Sequence, residues 1–300
     1  MECWNDGLSK DAAMFEKGIA VIGSTTIDNN ITSAGSHRKI GGVTTYSGIT
    51  YCRHGVATTI VSNIAGNDKE VIAALEKEKM IVCSGHTRHT THFINEVTQT
   101  ERRQKIPLRA APIKTDRLSE ILKRVSCIHL GPLHPGDIEP GAIERIKFAK
   151  LPVVLDVQGY TRRIKDQSII AGVSKRLSSE LMISNIIKFN AFELETVLNF
   201  FDLDISELIK IYNIEECVVT CGEKGGWVQD RKGNVYMYQA PQVESIVDPT
   251  GAGDVFMAAY LLARFLNQLN IADACSYAAK ISARQVRGRY ISQKTIGLEP

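Results

Sequence analysis

The chain has 300 residues, 44% of them apolar and 23% charged, with a formal net charge of +3. This composition excludes disorder, the small and scattered charge excludes a nucleic-acid surface, and no run reaches the ~20 apolar residues of a membrane span. The seven cysteines (Cys3, Cys52, Cys83, Cys127, Cys217, Cys221, Cys275) are odd in number and contain no C-x-x-C pair, so they read as core thiols in a reducing compartment.

Residues 1–17, MECWNDGLSKDAAMFEK, are interrupted by charges and cannot supply the apolar centre of a signal peptide. They read as an N-terminal extension of a cytoplasmic protein. GIAVIGS (Gly18–Ser24) predicts a first strand. Asp28–Ile40 (DNNITSAGSHRKI) is polar, contains glycine and reads as extended chain exposed on one face. Ala57–Ala65 predicts a second apolar strand, followed by an amphipathic helix over Asp68–Lys79. Thr90–Ile106 alternates polar and apolar residues without helical period. Residues 28–40 and 90–106 therefore predict a small sheet outside the main domain, on which two copies could pair as a homodimer. Cys127–Pro132, Pro152–Val157, Ile186–Asn190 and Glu216–Gly222 continue the series of short apolar runs. Several are apolar on both faces, as central parallel strands covered by helices must be. After Gly225, two β-rich runs around Lys232-Gly233-Asn234 predict a hairpin, and the last 50 residues read as mostly helical. Strand–helix alternation of this kind predicts one doubly wound α/β domain over 18–300.

The informative stretch is SIVDPTGAGDVFMAAYLLARFL, Ser245–Leu266. A helix needs only one Ser or Asp cap to start, not Thr-Gly-Ala-Gly-Asp. Ligands of open α/β sheets bind where strands end and loops enter helices. There Gly251 and Gly253 leave main-chain N–H groups unshielded, and the positive end of the following helix points at them. Such a pocket suits the charge on a transferring phosphoryl group. Asp254 beside an anion pocket makes sense as the group that takes a proton from an attacking hydroxyl. Complementing the helix dipole is the other reading of the same residue.

DPTGAGDVFMAAYLLA resembles the C-terminal signature of the PfkB, or ribokinase-like, carbohydrate kinases. IGSTTIDNNI is similar to that family's first strand, ending at a substrate-binding aspartate, here Asp28. GGVTTYSGITYCRHG (Gly41–Gly55) resembles its Gly-Gly substrate loop, NAFE (Asn190–Glu193) its N-x-x-E element, and VVTCGEKGG (Val218–Gly226) the strand and loop that hold ATP. The resemblance runs from about Gly18 to Tyr290 and implies a doubly wound α/β fold with a small β-sheet lid. Asp254 then resembles the catalytic base, and Gly251, Ala252 and Gly253 the anion hole. Asn190 and Glu193 would organise Mg²⁺ and its waters, although the same pair would also make a helix cap. Thr220, Gly222 and Gly225 resemble nucleotide contacts, or form a tight strand exit. Asp248 and Thr250 resemble residues that hold a monovalent cation such as K⁺ beside the anion hole.

The sugar and nucleoside kinases commonly carry asparagine where this chain has Tyr46. The aromatic residue, with TCGEKGG and LDVQGYTRR, is similar to the inositol-kinase branch. That implies a cyclic polyol such as myo-inositol, contacting Asp28, Gly41, Gly42 and Tyr46, unless Tyr46 only packs within its helix. A nucleoside or sugar-phosphate acceptor is the alternative. Arg102 and Arg103 could reach a substrate phosphate or lie solvated. His86, His89 and His92 suggest a zinc site only if helical; on a strand His89 faces away from the others. A dinucleotide oxidoreductase is disfavoured because GAGDVF lacks the third glycine and lies late in the chain. A Walker-type loop is absent. A non-catalytic sensor would be expected to lose the base, and Asp254 is present.

Overall fold

The computed structural model describes residues 12–32, 35–97, 102–116 and 118–299; residues 1–11 of the expected extension and the side chain of Arg102 lie outside that set. In chain order the strands are β1 (Ile19–Gly23), β2 (Thr26–Thr32), β3 (Gly35–Gly41), β4 (Thr58–Val61), β5 (Ile81–Cys83), β6 (Thr91–Val97), β7 (Arg102–Leu108) and β8 (Cys127–Gly131). They continue with β9 (Val153–Asp156), β10 (Arg162–Lys165), β11 (Ser168–Ala171), β12 (Ile186–Asn190), β13 (Glu216–Thr220), β14 (Gly226–Asp230), β15 (Val235–Tyr238) and β16 (Gly297–Leu298).

The main sheet runs β15-β14-β13-β12-β9-β8-β1-β4-β5. Seven strands are parallel and the β14–β15 hairpin closes one edge antiparallel. Alternation across the pleat divides each central strand between two cores. Ile19 and Val21 pack with the helices Val43–Arg53, Ala252–Leu261 and Ile271–Val286 on one face. Ala20 and Ile22 pack with Pro140–Ala149 and Ile205–Tyr212 on the other. This is the doubly wound architecture that the apolar runs predict. β1 pairs with β4 on one side and β8 on the other, both parallel, so the order in which the chain adds strands reverses there and opens a crevice at the strand ends.

A second sheet, β10-β11-β7-β6-β2-β3-β16, stands beside that crevice and is antiparallel except for β2–β6. The described parts of 28–40 and 90–106 lie in its β2–β3 and β6–β7 pairs, with strand boundaries shifted by one or two residues; 33–34 and 98–101 lie outside the described residues. Neither β16 nor the β10–β11 hairpin is predicted from sequence. Asp166 and Gln167 turn that hairpin with both φ positive, at +47° and +66°, where the recognisable residues are Asn-Gly. The region around His89 also differs from expectation: β6 begins at Thr91, leaving His86 and His89 in the preceding loop.

The helix Ala252–Leu261, which starts at the glycine loop, is anchored at its far end. Buried Glu216 on β13 accepts from Tyr260 Oη at 2.5 Å and from Arg264 at 2.6 and 3.1 Å, where the helix passes into a π turn, Leu262–Leu266. Fixing the C-terminal end on the sheet fixes where the N-terminal end points.

Candidate active site

A cleft of about 980 Å³ lies between the carboxyl ends of the main-sheet strands and the small sheet. Gly251, at the N-cap of the helix, has φ +75°, and a Cβ there would sit 2.3 Å from the Tyr46 ring. Left-handed backbone and ring contact both demand glycine. Among the described residues no acceptor takes the N–H of Gly251 or Gly253. Ala252 is different: its N–H donates to the Pro249 carbonyl at 3.2 Å, so of the three residues expected to form an anion hole only the two glycines keep an amide available. Asp254, in the first turn, lines the cleft with its side chain 14% exposed. Ser47 Oγ donates to the Asp254 carbonyl at 3.1 Å and ties this turn to the helix Val43–Arg53.

Two residues that sequence reasoning passed over set the charge of Asp254. Lys188 Nζ, on β12, lies 2.6 Å from Asp156 Oδ2 and 3.9 Å from Asp254 Oδ1, and both aspartates and the lysine are buried or nearly so. The available signal was a single charge inside each apolar run, IIKFN and VVLD. Burial pushes the Asp254 carboxyl up to about 7; Lys188 pulls against it, Asp156 and Glu193 push with it. Burial alone would lower the Lys188 ammonium, but the surrounding carboxylates, Asp156 first, outweigh it and hold it charged. A carboxyl that titrates near pH 7 at the wall of a cleft can take up a proton at working pH.

Asn190 and Glu193 form the capping box that the residues alone allowed. Asn190 N–H donates to Glu193 Oε2 and Glu193 N–H to Asn190 Oδ1, both at 2.8 Å. Asn190 also lines the cleft, whereas Glu193 sits buried behind it. Among the described residues no three His, Cys, Asp or Glu side chains converge on a ready-made metal site. The donor set nevertheless fits Mg²⁺: all oxygen, with three carboxyls, Asp156, Glu193 and Asp254, against two cations, Lys188 and Arg162, and few direct ligands, so that phosphates and water would complete the shell.

Thr220, Gly222 and Gly225 line the neighbouring wall. They make a tight strand exit: Cys221 N–H donates to the Gly225 carbonyl at 2.7 Å, and a Cβ on Gly225 would lie 2.1 Å from the Tyr238 carbonyl. Beyond them the cleft continues along Ala240, Pro241, Ala279, Ala283 and Val286, a mostly apolar slot that Gln242, Glu244 and Ser282 also line.

At the opposite end Asp28 is buried on β2 and accepts from Thr26 Oγ1 at 2.6 Å. A Cβ on Gly41 would lie 2.2 Å from Asp28 Oδ2, and one on Gly42 (φ +90°) 2.1 Å from the Ser24 carbonyl, which explains the glycine pair. Tyr46 is buried against Gly251, and among the described residues its hydroxyl has no partner. Asn95 and Gln104 of the small sheet, not predicted from sequence, extend this wall through Asn95 Nδ2 to Asn30 Oδ1 (2.8 Å) and Gln104 Nε2 to Asn95 Oδ1 (2.7 Å). Arg103 lies exposed on β7 and does not line the cleft. Thr250 lines it beside Asp248, whose carboxylate accepts from Lys39 Nζ and, at 2.9 Å, from Thr250 N–H.

A doubly wound sheet, a small sheet over its switch-point crevice, and bare amides beside a buried carboxyl at a helix start are the parts of a phosphotransferase. Residues 17–293 match the pfkB family carbohydrate kinases, and the chain belongs to that family. No curated protein matches the sequence. Among solved structures it is similar to a pyrophosphate-dependent kinase of the ribokinase family complexed with a pyrophosphate analog and myo-inositol (TM-score 0.78, 22% identity, 90% of this chain and 95% of that one). It is also similar to the ribokinase of Thermotoga maritima (TM-score 0.72, 19% identity, 93% and 95%). A third similar structure is Arabidopsis thaliana ribokinase complexed with ribose and ATP (TM-score 0.70, 18% identity, 93% and 96%). At these identities the likeness speaks for the fold. Among the described residues no helix is long and apolar enough to cross a membrane.

Proposed function

We propose that this carbohydrate kinase transfers the γ-phosphoryl group of ATP to a hydroxyl of a small cyclic polyol or sugar, with a myo-inositol-like acceptor favoured. The observation that carries the proposal is the placement of Asp254 beside the Gly251 and Gly253 amides, at the junction of the donor and acceptor ends of one cleft. Asp254 Oδ accepts the proton of the attacking hydroxyl, and the hydroxyl oxygen displaces ADP from the γ-phosphorus. The two glycine amides and the helix N-terminus offset charge on the equatorial oxygens. Asn190 and Glu193 would help hold Mg²⁺ at the phosphates, and the ion would supply charge neutralisation there. Thr220, Gly222 and Gly225 hold the donor, and closure of the small sheet excludes water.

Two features support the choice of partners. The apolar slot beyond Gly225 suits a nucleotide base, which a pyrophosphate donor lacks. At the acceptor end, the buried Tyr46 phenol, without a partner among the described residues, and the Asp28 carboxylate offer hydrogen bonds to ring hydroxyls, while the Tyr46 ring offers an apolar face. The test is a product screen over myo-inositol, hexoses, ribose, nucleosides and sugar phosphates, each with ATP and with pyrophosphate. Turnover is expected with ATP and a cyclic polyol. Turnover confined to ribose, nucleosides or sugar phosphates overturns the acceptor, and turnover with pyrophosphate alone overturns the donor.

A further inference from the structure

The resemblance of Asp248 and Thr250 to monovalent-cation ligands can be tested against the atoms around them, and they do not fit that task. Lys39 lies in the middle of β3, paired in register with Asp28 on β2 and Gly297 on β16. Its side chain is wholly buried, and its Nζ donates to Asp248 Oδ2. The other oxygen, Oδ1, accepts the Thr250 N–H at 2.9 Å. The adjoining main-chain oxygens are also engaged. The Thr250 carbonyl accepts from Gln285 Nε2 at 3.4 Å, and the Val286 carbonyl from the N–H groups of Val247 and Asp248 at 2.9 and 3.1 Å. Lys39 Nζ further lies 6.0 Å from the centroid of the Tyr46 ring, which packs against Gly251.

The Lys39 ammonium is wholly buried and the Asp248 carboxylate, 26% exposed, is partly so, and a charge taken out of water in this way needs a counter-charge beside it. Here the chain supplies it covalently. Burial pushes the Asp248 carboxyl up, but Lys39 and the Thr250 N–H outweigh that and hold it below its ordinary range. A K⁺ ion at Asp248 would have to share oxygens that already accept hydrogen bonds and, decisively, would lie against the fixed Lys39 ammonium that occupies Oδ2. Like charges at that spacing repel.

We propose that the Lys39 ammonium is the built-in positive charge of the Asp248–Gly251 loop, in place of a bound monovalent cation, and that phosphoryl transfer by this chain needs neither K⁺ nor Na⁺. Lys39 acts through Asp248: it fixes the carboxylate that holds the Thr250 N–H, and so sets the left-handed turn at Gly251 from which the anion-binding amides project. It is a positioning residue.

The kinetic half of the test rests on the kinase reading; the binding half does not. Crystals soaked in thallium(I) acetate without nucleotide report monovalent sites by anomalous scattering. The wild-type chain is expected to show no thallium at Asp248, with Lys39 in place. Thallium on that carboxylate, with Lys39 turned away, overturns the proposal. In Lys39→Ala the vacated position is expected to take thallium. For rates, ATP is supplied as its Tris salt and KCl is compared with choline chloride at equal ionic strength. Wild-type turnover is expected to be the same in both, and activation by KCl of about tenfold or more, ~1.4 kcal/mol of barrier, overturns it. Lys39→Ala is expected to lose about tenfold in choline, the scale of one hydrogen bond to a charged group, and to recover in KCl. Both wild-type arms stand if the variant does not fold. If no acceptor is turned over at all, the kinase reading fails while the thallium result still decides this one.

Discussion

Two parts of the cleft are built on opposite plans. At the Gly251–Asp254 corner the binding groups are main-chain amides, freed by a left-handed glycine and aimed by a helix whose far end is bolted to β13. At the Asp28 end they are side chains that hold one another: Thr26 to Asp28 at 2.6 Å, Gln104 to Asn95 at 2.7 Å, Asn95 to Asn30 at 2.8 Å. The contrast follows from chemistry. A transferring phosphoryl group presents the same oxygens whatever accepts it, so backbone suffices. Acceptors differ in the placement of their hydroxyls, and only side chains can be placed to match them.

Three changes would break or sharpen that contrast. The largest effect is expected for Lys188→Met, which strands the buried Asp156 carboxylate. Removing one partner of a buried ion pair costs about 3–5 kcal/mol, read as a lower denaturant midpoint, and Asp156→Asn on the same background should recover part of it. An unchanged midpoint would mean that the donor corner does not depend on this pair. Next comes pH. Asp254 must be ionised to accept a proton, and its pKa is raised, to about 7, so activity is present above that value and lost as pH falls through it. A single essential base predicts about a tenfold fall in kcat/KM per pH unit on that limb. Because Lys188, ahead of Arg162, is the main group opposing burial, Lys188→Met should move the limb to still higher pH. A limb near pH 4 contradicts the environment described for Asp254. The smallest effect belongs to the acceptor end: Asn95→Ala should raise the acceptor KM by about 1 kcal/mol of lost hydrogen bonding, leaving the ATP KM alone. A shift in ATP KM instead would erase the division between the two ends.

The same division explains what could be read from the chain. Backbone-based sites need particular small residues in consecutive order, so Gly41–Gly42 and Thr250–Asp254 stand out, and the buried parallel strands declare themselves by apolar runs. Asn95 and Gln104 came unannounced because their roles arise from cross-strand neighbours. The β2–β6 pairing joins residues some 65 positions apart, Asn30 to Asn95. Lys39, Lys188 and Asp156 were hidden for another reason. A lone charge in a short strand reads as solvent-facing until tertiary structure supplies a buried partner, and those partners lie 209 and 32 positions away. The β10–β11 hairpin gave no turn signal because Asp-Gln occupies positions where Asn-Gly would be expected. Asn190 and Glu193 show the converse. Their spacing served two readings at once, and the capping box is formed while Asn190 still faces the cleft.

The most direct measurement is of Asp254→Asn, with turnover and ATP binding determined on the same preparation. The amide keeps the size of the side chain but has no basic oxygen charge with which to take the hydroxyl proton. The expected result is a kcat at least ~10²-fold below wild type, the lower range of what a general base contributes, with an unaltered dissociation constant for ATP. A variant that turns over at close to the normal rate, or one that fails only because ATP no longer binds, contradicts the assignment of Asp254 as the base.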